Sequence, residues 1–155
     1  MPALARVAAA GDVFALPDLL VTPWRRIMLS ERLDVWCLVD AVHYDWLSTF
    51  NWNIWHDGRS DWRLYAKRNI GTARDTVRMH REIKLRTDPD GWFEGAVVDH
   101  INGCTLDNRD ANLRWATEAE NRANSRARGL TPTVEAVLYG LLEAAPVSFE
   151  APIPF

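Results

Sequence analysis

The chain has 155 residues, of which 48% are hydrophobic and eight are tryptophan, and its formal net charge is −3. The composition excludes global disorder and a generally basic nucleic-acid-binding protein, and the length favours one domain with extensions. The charge is uneven, because residues 59–128 hold 14 of the 18 Lys and Arg but 11 of the 21 Asp and Glu. This segment therefore has a net charge of +3 against −6 elsewhere, which indicates a phosphate-facing surface, with scatter of surface charge as the alternative.

The first part of the chain is predicted to be rich in β-hairpins. An irregular arm over residues 1–26 comes first, and a hairpin of strands 27–29 and 35–39 follows it. A short helix then extends from Asp40, its predicted cap, to Phe50. A second hairpin has strands 52–55 and 62–70 with its turn at 56–60, and the segment 76–84 is a strand that passes into a short helix. Alternating apolar and β-forming residues predict the strands, and turn residues separate them.

The second part begins with a strand, a loop, a strand and a helix. Val97 to Ile101 and Leu113 to Ala116 are the predicted strands, with a tight turn at Asn102-Gly103. Thr117 and Glu120 have the spacing of a capping box, which predicts a helix over 118–125 that Gly129 ends. The segment is thus a ββα unit with polar residues at its turns.

A last helix is predicted over 131–145, with Pro132 at its first position and Pro146 ending it. It carries an apolar stripe at helical spacing, formed by Val134, Val137, Leu138, Leu141 and Leu142. Such a stripe packs on the chain's own core or forms a homodimer, so we expect a monomer or a dimer through this helix. The tail after it is expected to be extended or disordered.

These elements predict an α+β protein with three parts. They are an N-terminal arm (1–26), a main domain (27–128) whose hairpin-rich first half precedes the ββα core (97–126), and a C-terminal helix with its tail (129–155).

The cysteines and the N-terminus bear on the compartment. Cys37 and Cys104 form no CxxC pair, so no structural zinc is expected, and two cysteines make no disulfide framework. The apolar N-terminal run is interrupted by Arg6 and by Gly11-Asp12, which makes it too short for a signal peptide or a membrane span. We therefore expect a soluble cytoplasmic protein that does not act at a membrane.

The ββα unit holds the groups that phosphodiester hydrolysis requires, namely a base for the attacking water and a cation for the developing charge. His100 is the natural base because imidazole titrates near neutral pH. Asp99 offers a hard oxygen ligand suited to Mg²⁺, and a helix asparagine, Asn121 or Asn124, can add a second. Adjacent residues of a regular strand point to opposite faces, so Asp99 and His100 serve one site only if the strand ends or bends there.

The same segment resembles the HNH homing endonucleases of phages and introns, in the branch whose final His is replaced by Asn. The matching residues are Asp99-His100, Leu106-Asp107-Asn108-Arg109, Ala111-Asn112-Leu113-Arg114-Trp115 and Glu120-Asn121. The stretches near residues 27, 39–52, 64–70 and 79–83 are weaker matches to the N-terminal half of such proteins, so the resemblance covers about 27–128.

The resemblance implies a metal-dependent endonuclease that cuts or nicks double-stranded DNA, encoded by a phage or mobile element and acting in a bacterial host. Asp99 and Asn121 would bind one divalent ion, Mg²⁺ or Mn²⁺, and His100 would be the general base. Asn112 would tie the ββ loop together and orient His100. His80 and Asn124 are possible accessory residues of the site. Asp107 and Asn108 are expected to shape the loop, and no role is assigned to His43 or His56.

Basic residues on and beside the ββα unit are candidates for phosphate contacts. They are Arg63, Lys67, Arg68, Arg81, Arg114, Arg122 and Arg126. Arginine suits bidentate phosphate contacts, although any one of them could equally be a solvated surface charge.

Two other functions remain open. A non-catalytic DNA-binding or packaging-associated protein could use the same scaffold, but a degenerate copy is expected to lose His100 or a metal ligand, and both are present. An interaction protein could use the C-terminal helix and tail for docking.

Overall fold

The structure is a computed structural model that describes residues 19–58, 63–127 and 129–145. The predictions for residues 1–18, for the hairpin tip that includes Trp62, and for the tail after residue 145 lie outside the described residues.

Seven strands and four α-helices make up the described part of the chain. They are β1 (Trp24–Ser30), β2 (Val35–Asp40), α1 (Ala41–Leu47), β3 (Asn53–His56), β4 (Leu64–Ile70), β5 (Asp75–Arg78), α2 (Met79–Thr87), β6 (Val97–His100), β7 (Leu113–Ala116), α3 (Glu118–Ala127) and α4 (Val134–Ala144). Short 3₁₀ turns lie at Leu19–Val21, Pro89–Gly91 and Asp110–Asn112. The strands form three antiparallel sheets, β1-β2, β3-β4-β5 and β6-β7. The α+β prediction and the order of its elements are confirmed.

Both faces of strand β2 are buried, so this strand lies between two hydrophobic cores. Cys37 and Val39 face a core formed with Leu47, Met79 and Ile83. The alternate residues face a second core, which consists of Leu19, Trp36, Leu38, Cys104, Val134 and Leu138. Side chains alternate between the faces of a strand, so one short strand supports both cores.

Several element boundaries differ from the predictions by one to three residues. Strand β1 begins at Trp24, inside the predicted arm, because Trp24 pairs with Asp40 across the hairpin. Helix α1 ends at Leu47 rather than Phe50. Helix α4 begins at Val134, since the side chain of Thr133 accepts a hydrogen bond from the Ala136 amide and acts as the N-cap.

Asp40 has a role other than the one predicted. It occupies the N-cap position of α1, but its side chain makes no cap hydrogen bond. Its Oδ2 instead accepts a hydrogen bond from the Asp110 amide, 2.7 Å away in the ββ loop. A tertiary donor has thus replaced the local one.

The apolar stripe of α4 packs on the chain's own second core. Val134 and Leu138 are buried, and Val137, Leu141 and Leu142 are partly buried against the same cluster. The stripe thus serves packing within one chain, and the oligomeric state stays a prediction. None of the helices in the described ranges is long and apolar enough to cross a membrane.

The loop between β6 and β7 docks on β2. The Leu38 amide donates to the Leu106 carbonyl at 2.8 Å, and the Asn108 amide donates to the Leu38 carbonyl at 2.8 Å. These two bonds form a short parallel β-bridge between Leu38 of β2 and Asp107 of the loop. The N-terminal hairpin therefore fixes the position of the loop in which the polar residues of the ββα unit lie.

Candidate functional site

The ββα unit forms as the sequence pattern predicts. In the β6-β7 hairpin Asp99 pairs with Arg114 and His100 pairs with Leu113. Strand β6 ends at His100, and a turn closed by a hydrogen bond from the Gly103 amide to the His100 carbonyl follows it. Gly103 has a φ of 80°, a conformation that glycine adopts at little cost.

The capping box of α3 is present with both of its hydrogen bonds. The Glu120 amide donates to the Thr117 hydroxyl at 3.1 Å, and the Thr117 amide donates to the Glu120 carboxylate at 2.7 Å. These bonds fix the start of the helix relative to β7. They thereby position the asparagines of α3 beside β6.

Asp99 is 2% exposed, and one of its oxygens is held by two side chains. Oδ2 accepts hydrogen bonds from Arg114 Nε at 2.9 Å and from Asn124 Nδ2 at 2.8 Å, and Arg114 Nη2 lies 2.8 Å from it. Within the described part of the chain, Oδ1 of the same carboxylate has no hydrogen-bond partner. One oxygen is thus anchored while the other is left for a further ligand.

Asp99, His100 and Asn121 line one small cavity of about 60 Å³, together with Arg63, Tyr65, Val98, Gly103, Thr105 and Ser125. Because β6 ends at His100, two adjacent residues reach the same cavity, as the sequence argument required. Asn121 is half-buried there, and its side chain makes no hydrogen bond with any residue that the structure describes. The cavity therefore combines a carboxylate, an imidazole and an amide.

Asn108 lies within hydrogen-bond distance of the His100 ring, with its Oδ1 3.0 Å from His100 Nε2. Asn108 is fully buried, and its Nδ2 donates to Met79 Sδ at 3.5 Å. With Oδ1 facing the ring, neutral His100 donates from Nε2, and Nδ1 is then the basic nitrogen. Sequence reasoning assigned Asn108 only to the loop, since nothing in its spacing from His100 marks this contact.

Asn112 braces the ββ loop. Its Oδ1 accepts from the Asn102 amide at 2.9 Å, and its Nδ2 donates to the Asp107 carbonyl at 2.9 Å. These bonds match the predicted loop-bracing role. They do not reach His100, so the predicted role of Asn112 in orienting His100 stays a prediction.

His80 packs against His100 rather than against solvent. The two ring centroids lie 5.0 Å apart, and the His80 ring lies 5.7 Å from that of Tyr65. Burial, and after it the positive charge of His100, hold the pKa of His80 well below its usual value. His80 is therefore neutral near pH 7, and its ring packs directly against the ring of His100.

The predicted phosphate-binding residues have different surroundings. Arg68 pairs with Glu82 at 2.7 Å and lies 3.9 Å from the Phe50 ring centroid, so its guanidinium is engaged internally. Arg114 forms an ion pair with Asp99, Arg81 donates a hydrogen bond to the Ala96 carbonyl, and Lys67 donates one to Asn69. Arg63 lines the cavity, and Arg122 and Arg126 lie on the surface of α3. Arg81, Arg114, Arg122 and Arg126 are exposed, whereas Arg63, Lys67 and Arg68 are half-buried.

A second polar cluster lies outside the cavity. Asp40, His43 and Asp110 offer ligand atoms that all lie within 4.8 Å of one another. Burial raises the pKa of Asp40, and the neighbouring charge of Asp110 acts in the same direction. Sequence reasoning missed this cluster because Asp110 lies 67 residues from its hydrogen-bond partner His43.

Comparisons with known proteins point to one family. Residues 89–123 match the HNH endonuclease family. The chain is also similar to the DNA endonuclease I-HmuI of Bacillus phage SP01, with 39% identity over 54 residues. That alignment covers 35% of this chain but only 30% of the phage protein. No solved structure matches the chain.

Proposed function

We propose, from the match of residues 89–123 to the HNH endonuclease family, that the chain is a metal-dependent DNA endonuclease that hydrolyses phosphodiester bonds. The observation that carries the proposal is the convergence of Asp99, His100 and Asn121 on one cavity. The similarity to a phage enzyme supports a phage or mobile-element origin and action in the cytoplasm of a bacterial host.

Asp99 and Asn121 are the proposed ligands of one divalent ion, Mg²⁺ or Mn²⁺. Both side chains present oxygen atoms, which these hard cations prefer, and Asp99 Oδ1 has no hydrogen-bond partner in the described part of the chain. When bound, the ion supplies positive charge that stabilises the phosphoryl group and the leaving oxygen. Asn124 fits a supporting role better, because its Nδ2 already donates to Asp99 Oδ2 and holds the carboxylate in place.

His100 is the proposed general base. In the tautomer that donates Nε2–H to Asn108, the Nδ1 lone pair accepts the proton of the water that attacks phosphorus. Burial of Asn108 and the rings of Tyr65 and His80 restrict the movement of the imidazole. We expect this restriction to favour the productive orientation over other rotamers.

DNA contacts are proposed for the cavity rim and for α3. Arg63 lines the cavity, and Arg122 and Arg126 are exposed on the helix that carries Asn121. Arg122 lies 3.5 Å from Glu118 in an exposed pair, which contributes little and can give way to a phosphate. Binding should therefore weaken as salt concentration rises.

The test is conversion of supercoiled plasmid to open-circular or linear DNA in Mg²⁺ or Mn²⁺, with EDTA as the control. Replacing His100→Ala should lower the rate by about 10²- to 10⁴-fold, the usual contribution of a general base. The form of the product also distinguishes nicking from double-strand cutting.

A matched pair of variants tests the ligand assignment. Asn121→Ala should raise the Mg²⁺ concentration at half-maximal rate more than Asn124→Ala does, and the reverse order would contradict Asn121 as the ligand. DNA binding without metal-dependent cleavage, on both plasmid and a randomised substrate library, would refute the enzyme and favour a non-catalytic DNA-binding protein.

A further inference from the structure

Asp40, His43 and Asp110 meet where the N-terminal hairpin touches the ββ loop. Asp40 ends β2, His43 lies three residues later in the first turn of α1, and Asp110 begins the 3₁₀ turn before β7. Across residues 19–58, 63–127 and 129–145, this is the one group of three His, Cys, Asp or Glu residues with ligand atoms within 4.8 Å of each other. None of the three lines the Asp99 cavity.

The contacts inside the cluster leave one buried oxygen without a partner. His43 Nε2 lies 2.8 Å from Asp110 Oδ2, and the Asp110 amide donates to Asp40 Oδ2. Asp110 Oδ1 is buried and has no hydrogen-bond partner among the described residues. The Asp110 side chain is 41% exposed and the His43 side chain 10% exposed, so this unpaired oxygen lies beside a second carboxylate and an imidazole at a place that a cation can reach.

We propose that Asp40, His43 and Asp110 together bind one divalent transition-metal ion such as Zn²⁺. One imidazole nitrogen and two carboxylate oxygens suit Zn²⁺, Mn²⁺ or Co²⁺ better than Mg²⁺, which prefers oxygen ligands and its own water. Water molecules complete the coordination. To bind the ion, His43 Nε2 must carry no proton, so the ring would hold its one proton on Nδ1.

The ion would join two parts of the molecule. Asp40 and His43 belong to the hairpin and to α1, whereas Asp110 belongs to the loop that also holds Asn108 beside His100. The absence of a CxxC pair argues against a cysteine-bound zinc but not against a site of this composition. The site is structural and separate from the proposed catalytic ion, and it does not depend on the proposed function.

Isothermal titration of the EDTA-treated, dialysed full chain with Zn²⁺ tests the proposal. Asp40→Asn keeps an acceptor for the Asp110 amide but removes the charge, and His43→Gln removes the imidazole. Both variants should weaken one Zn²⁺ binding event at least tenfold, while Asn121→Ala, which alters only the proposed catalytic ligand set, should keep it. Equal Zn²⁺ affinity in wild type, Asp40→Asn and His43→Gln, or no Zn²⁺ binding that survives Asn121→Ala, would overturn the proposal.

A measurement on the unmodified chain tests the same proposal even where the variants fail to fold. In ¹⁵N spectra of the histidine rings, Zn²⁺ should shift the Nε2 resonance of His43, whereas those of His56 and His80 should stay in place. Saturating Zn²⁺ that leaves the His43 ring unchanged would overturn the proposal whether or not the chain proves to be a nuclease.

Discussion

Replacing Asn108 with leucine removes the acceptor that faces His100 Nε2 while keeping a side chain of similar size. The 3.0 Å hydrogen bond is fully buried, so its loss leaves an imidazole N–H without a partner. An unsatisfied buried donor costs about 1–3 kcal/mol. If that cost falls on the tautomer and orientation that place Nδ1 toward the attacking water, the cleavage rate should drop about 5- to 150-fold.

The assay is the rate of plasmid cleavage at saturating Mg²⁺, normalised to the folded fraction measured by circular dichroism. Asn108→Asp keeps an oxygen acceptor and should retain much more activity than Asn108→Leu. Ile83→Val is the matched control, because it removes one buried carbon from the core that contains Met79 and leaves both hydrogen bonds of Asn108 in place; such exchanges usually cost about 0.5–1.5 kcal/mol. Equal rates in wild type and Asn108→Leu, or equal losses in Asn108→Leu and Asn108→Asp, would refute the reasoning about the tautomer.

Three further predictions concern stability and reactivity. Thr133→Ala removes the cap bond to the Ala136 amide and should lower the free energy of unfolding by about 0.5–2 kcal/mol in urea titrations; an unchanged midpoint would contradict the cap. Burial raises the pKa of Cys37 to about 12 and of Cys104 to about 11. Ellman's reagent at pH 8 should therefore label neither cysteine in the native state and both in denaturant. Fast labelling of the native protein would contradict their burial. Because the pKa of buried His80 is lowered in the folded chain, the unfolded chain binds a proton at this residue at a pH where the folded chain does not. Stability should therefore fall below pH 6.5 with a slope of up to about 1.4 kcal/mol per pH unit, and the slope should be shallower in His80→Gln; identical slopes would contradict the assignment.

Local patterns predicted the ββα unit well because its signals lie within a few residues of one another. The capping box needs only Thr117 and Glu120, and the turn that follows β6 is predicted by Asn102-Gly103, two residues after His100. The α+β class and the order of most elements followed in the same way. Boundaries were less accurate, as at β1, because the pairing of Trp24 with Asp40 depends on the opposite strand.

The amino-acid sequence alone therefore determined the residue types available for chemistry and indicated the similarity of the central segment to HNH endonucleases. Only the tertiary structure decided how those residues are shared among contacts. It placed Asn108 rather than Asn112 at the His100 ring, directed Arg68 to Glu82, and brought Asp110 to Asp40 and His43. The physical reason is that helix and strand periodicity specify which face a side chain occupies but not which distant residue packs against that face. Contacts between residues far apart in the chain arise only when the hairpin, the loop and the helices bury their apolar faces together.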